Sequence, residues 1–189
     1  MIPFLALVLL LQAAQATDSA VGPPETRPAI RLERAQGLAA DVFYLTVPWG
    51  PNTFASMESP GDGYYNRRSW PFARLETRRP VTVDGVPVPI GNHALVFHPN
   101  TPDDEGMSLE VRQIDAAEFL EEGNAMTRTP EGRTLWRAPV RFDTAAGTAP
   151  ALKVGMVPEE GGFRLEVQYG DRRTTKQFRY PASESPGQP

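Results

Sequence analysis

FRLEVQY, residues 163–169, alternates without a break: Phe163, Leu165, Val167 and Tyr169 carry apolar side chains, while Arg164, Glu166 and Gln168 between them are polar. Successive side chains of an extended chain point to opposite faces, so this spacing predicts a strand with one face in a core and the other in water. The same period of two recurs at Ile30 and Leu32, at Phe43, Leu45 and Val47, and at Trp136, Ala138, Val140 and Phe142. Each of these runs is expected to be a half-buried strand with the named residues inward.

The connections are as legible as the strands. VTVDGVPV, residues 81–88, places Asp84-Gly85 between two Val-rich runs, and that pair tolerates the positive φ angles of a type I′ turn. A hairpin is expected there, another between LKVGMVP and FRLEVQY through Glu159 to Gly162, and a third through Gly170-Asp171 into TKQFRY. DAAEFLEEGN, residues 115–124, breaks the alternation. Asp115 and Glu118 have the spacing of a capping box and Gly123 supplies a stop, which predicts a helix of about two turns. The expected fold is therefore all-β, an antiparallel β-sandwich of jelly-roll-like character with one short helix. The twenty prolines suit such a fold, because they punctuate strands and protect sheet edges.

The opening MIPFLALVLLLQAAQA is uncharged and Leu-rich, and it ends in the small-x-small pattern Ala14-Gln15-Ala16. It reads as a secretory signal over 1–16, cut before Thr17. The apolar run meets Gln12 well short of the roughly 20 apolar residues a bilayer span needs, so no integral span is expected after cleavage. Residues 17–28 are small, polar and Pro-rich and read as a disordered lead-in; residues 181–189 read as a tail of the same kind. Residues 29–180 then form one domain, exported to the periplasm or the extracellular medium, long enough to bury a core without cross-links.

Composition closes several routes. With no cysteine, the chain has neither disulfides nor thiol chemistry nor Cys-ligated zinc. A net charge of −4 with scattered Arg pairs argues against a nucleic-acid partner. No nucleophile elbow, His-Glu-x-x-His or phosphate-binding glycine loop is present, and the acidic turn at Asp103, Asp104 and Glu105 lacks the alternation of a calcium loop. Neither a cofactor nor a metal site is expected.

PVTVDGVPVPIGNHALVFHPN, residues 80–100, resembles a segment of the exported bacterial family catalogued as domain of unknown function 2911. Its members carry a strand, an acidic-Gly turn, Leu-Pro-Ala-Gly-Thr-Tyr and an apolar strand ending in Pro; here Val88-Pro89-Ile90-Gly91-Asn92-His93 precedes Ala94 to Pro99. GFRLEVQYGDRRTTKQFRY is similar to the family's final strands. Upstream, the chain has YYNRRSWPFARLE where members show a Trp-Arg-x-Gly-Ala-Asn-Glu-like segment. The resemblance implies export and a β-rich fold and brings no activity with it.

Two readings of function follow. Thr46 to Phe72 is long for a connection and carries Trp49, Phe54, Tyr64, Tyr65 and Trp70 beside Arg67 and Arg68. Aromatic faces next to Arg donors suit a small molecule, a glycan or a protein, so the first reading is a non-enzymatic binding module with Tyr64, Tyr65, Arg67 and Trp70 as contacts. The second is a hydrolase using one histidine with a carboxylate from another strand. His93 and His98 are five residues apart, so a continuous strand sends them to opposite faces, where they cannot share one ion. An imidazole that opens into a pocket with an acid within hydrogen-bond reach is the observation that favours the second reading, and burial of both rings against apolar neighbours ends it.

Overall fold

The computed structural model describes residues 30–58, 69–99, 107–115 and 129–181. They form ten strands and one helix: β1 (Leu32–Gln36), β2 (Ala40–Leu45), α1 (Pro51–Glu58), β3 (Trp70–Thr77), β4 (Val81–Val83), β5 (Val86–Val88), β6 (Gly91–Pro99), β7 (Met107–Ile114), β8 (Arg133–Val140), β9 (Asp143–Glu159) and β10 (Gly162–Arg179). One sheet has the order β1-β2-β3-β6-β7-β8 and the other β5-β4-β10-β9, with every pairing antiparallel. The fold is the all-β sandwich expected. The helix expected over residues 115–123 lies almost wholly outside the described residues; α1 is a further helix, inside the long aromatic segment.

Both sheets contribute to one core. Val42, Leu75, Leu95, Phe97 and Leu109 come from the first, and Val83, Leu152, Leu165 and Phe178 from the second, all essentially solvent-free. Each such side chain contributes about 2 kcal/mol by leaving water. The Asp84-Gly85 turn is as expected, with φ of 47° and 78° and Val83 paired directly to Val86. The turn after Glu159 also forms, with Gly161 at φ 70° and Gly162 opposite Glu159.

Three expectations are corrected. Gly170-Asp171 does not reverse the chain, because β10 runs on through it. Gly170 sits at φ 63° where the β9 register shifts, so the chain bulges and continues. In β2 the inward residues are Ala40, Val42 and Tyr44, whereas Phe43 lies outward under the guanidiniums of Arg34 and Arg74, 5.4 and 4.5 Å from its ring centre. Both residue sets in β2 are rich in apolar side chains, so alternation alone does not choose the buried one. Finally, Ile30 and Leu32 are exposed, since β1 is the edge of its sheet.

Beside that edge, Asp41 is buried and accepts from both Arg34 and Arg78. Burial pushes its carboxyl up, but the two guanidiniums and the Gly37 backbone outweigh it and hold it below its ordinary range.

Candidate functional site

The two histidines separate across β6 as their spacing requires. His93 faces inward opposite Leu75, completely buried, and its ring nitrogens have no hydrogen-bond partner among the described residues. Burial lowers its pKa, only partly countered by the nearby backbone of Leu75 and Gly91. His98 faces outward from the six-stranded sheet and has polar company on both sides.

Register assembles that company. Trp70 of β3 pairs with Phe97 of β6, so Ser69, one residue earlier, falls beside His98. Across the other edge of β6, His98 pairs with Ser108 and Val96 with Glu110, placing Glu110 diagonally next to His98 on the same outer face. Ser69 Oγ lies 2.6 Å from His98 Nδ1, and His98 Nε2 lies 2.5 Å from Glu110 Oε2. This second contact is close in distance but off the in-plane N–H direction, so it is not a straight hydrogen bond.

Glu110 is held from behind. Its Oε1 accepts from Arg112 Nε at 2.7 Å and from Thr134 Oγ1 at 2.7 Å, and Thr134 is the β8 partner of Arg112. Burial pushes the carboxyl up, but the contacts from His98, Arg112 and Thr134 reverse the shift and bring it down to about 2. It is therefore ionised at any ordinary pH. A carboxylate at Nε2 favours the tautomer with its proton there, which leaves Nδ1 as acceptor for the Ser69 hydroxyl. Ser69 is half-buried, while His98 and Glu110 are buried, so of the three residues Ser69 is the one that reaches solvent. Arg137 is exposed on the same face and donates from Nε to Ser108 Oγ at 2.8 Å.

The aromatic segment is divided. Tyr64, Tyr65 and Arg67 lie outside the described residues. The Trp70 ring is buried between Phe72 and Phe97, each with ring centres 6.0 Å away, and Tyr169 at 5.2 Å. Its indole therefore belongs to the core. Trp49 and Phe54 likewise pack inward, on Tyr169 at 4.7 Å and Phe142 at 5.0 Å. Ser69 and Glu110 carried no sequence signal, because the first depends on a strand pairing and the second on the register of its neighbour. Among the described residues no helix is long and apolar enough to cross a membrane. Comparison with family models, curated proteins and solved structures returned no match.

Proposed function

We propose that this protein is an exported β-sandwich hydrolase of the domain of unknown function 2911 type, in which Ser69 is the nucleophile, His98 its general base and Glu110 the orienting carboxylate. The supporting observation is the continuous chain from Ser69 Oγ through both His98 nitrogens to Glu110, with contacts of 2.6 and 2.5 Å. Ser69 Oγ attacks an ester carbonyl carbon and its proton passes to His98 Nδ1. The imidazolium formed lies against the Glu110 carboxylate. Collapse of the tetrahedral adduct breaks the bond to the alcohol, which leaves with that proton. Water, deprotonated by the same nitrogen, then releases the acid and restores Ser69. Relative to the familiar serine triad the ring is turned, with the acid at Nε2 and the hydroxyl at Nδ1; Nδ1 takes the proton and Glu110 stabilises the imidazolium without being protonated.

A second reading has its own observation. Arg112 and Thr134 hold Glu110 across β7 and β8, and the same contacts staple the sheet in a binding module that performs no chemistry. A fluorophosphonate probe separates the two. The hydrolase reading expects one adduct, mapped by peptide mass spectrometry to Ser69 and absent from Ser69→Ala. It also expects p-nitrophenyl acetate turnover to fall about a thousandfold in His98→Ala. A folded protein that takes no label and turns over no ester leaves the stapled binding module.

A further inference from the structure

On the far side of the sandwich from Ser69, β9 and β10 part company. Between the pairs Gln168↔Lys153 and Arg172↔Thr144, β9 uses more residues than β10, and its surplus bows away from the ladder. The bow opens a cleft of about 550 Å3, within the size range of small-molecule sites. Ala145, Ala146 and Thr148 give it a wall of methyl groups. Gly147 and Gly155 give it bare backbone, since a Cβ built at either position meets nothing within 4 Å.

The charges in the cleft are unequal. Glu166, its one carboxylate, is already engaged by Arg164 at 3.0 Å and Arg173 at 2.9 Å. Lys153 is exposed opposite Gln168 and has no carboxylate partner among the described residues. Arg173, exposed and bound to Glu166 through Nη2, and Lys153 together give the cleft lining two cations to one acid. Gln168 spends its amide hydrogens on the carbonyls of Gly147 at 2.7 Å and Gly170 at 3.0 Å, which fixes the bowed wall.

We propose that this cleft binds small organic carboxylates with a short aliphatic body, the carboxylate on Lys153 and Arg173 and the hydrocarbon against the Ala145 to Thr148 wall. Planar carboxylates match a guanidinium edge, and methyl-lined walls favour hydrocarbon over water. The site is independent of Ser69 and stands whether or not that residue is a nucleophile.

Two-dimensional NMR of the 15N-labelled protein, titrated with hexanoate and with hexanamide, tests it. Saturating shifts confined to amides of residues 145–155 and 166–173 are expected with hexanoate, and binding about tenfold weaker with hexanamide. Lys153→Gln is expected to weaken hexanoate about fivefold, the loss of one part-exposed ion pair. Gly155→Leu, at a cleft-lining position where a Cβ meets nothing within 4 Å, is expected to abolish the shifts while leaving the rest of the spectrum in place. Linear, unsaturated shifts, equal response to the amide, or hexanoate affinity unchanged in Lys153→Gln each overturn the assignment. If Gly155→Leu does not fold, the amide comparison and Lys153→Gln decide alone.

Discussion

Trp49 lies flat over Gly170: a methyl group built on Gly170 would stand 2.1 Å from both Cδ2 and Cε2 of the indole. Tyr169 Oη donates to Pro48 O at 2.7 Å and joins the same two parts of the chain, while Trp49 N donates to Pro150 O of β9 at 2.9 Å. Gly170 serves twice, because its φ of 63° also carries β10 through the bulge. Gly170→Ala therefore combines a left-handed backbone with an overlap that only displacement of Trp49 relieves. A loss of about 3 kcal/mol or more in urea unfolding is expected. Gly161→Ala, at φ 70° with open space around it, is expected to cost only about 1 kcal/mol.

Glu110 ties its ionisation to stability. Its folded value of about 2 lies below the ordinary 4.5, so its contribution is complete above pH about 4.5 and is lost as pH falls toward 2. Glu110→Gln is expected to destabilise by about 3 kcal/mol at pH 7, because it leaves His98 and Arg112 around an uncharged amide. The variant is also expected to show a flatter stability profile between pH 4.5 and 2, read from chemical denaturation. An unchanged profile would remove Glu110 from the account.

His93 works in the opposite part of the pH range. Its folded pKa is depressed, so the unfolded chain takes up its proton first and stability declines as pH drops below about 6.5. His93→Leu removes a buried ring whose nitrogens are unpartnered among the described residues and fills similar space. Its urea midpoint is expected to match the parent at pH 7.5 or exceed it, and to exceed it clearly at pH 5. Equal slopes in parent and variant over that interval would rule the mechanism out.

Asp41 anchors the edge pair β1 and β2. Asp41→Asn is expected to cost about 1 to 2 kcal/mol, less than a fully enclosed pair, because the Arg34 and Arg78 side chains are 47% and 45% exposed. Because the pair sits at a sheet edge, hydrogen exchange is expected to quicken in β1 and β2 before the β9–β10 hairpin. Uniform acceleration across both sheets would contradict that placement.

What the amino-acid order determined by itself is local: period-two alternation in FRLEVQY, reversal at Asp84-Gly85 and at Glu160-Gly161, and the division of His93 from His98 between two faces. Each follows from backbone geometry over a few residues and needs no partner. Tertiary structure alone decided the rest. Phe43 and Val42 are both apolar neighbours in β2, and only the opposing sheet selects Val42 as the buried one. Gly170 has the residue type of a turn, yet Trp49, more than a hundred positions earlier, occupies the space above it and the chain passes straight on. Ser69, His98 and Glu110 meet because three strands pair in one register, and register is a property of the assembled sheet, since a slip of one residue would turn each side chain to the other face.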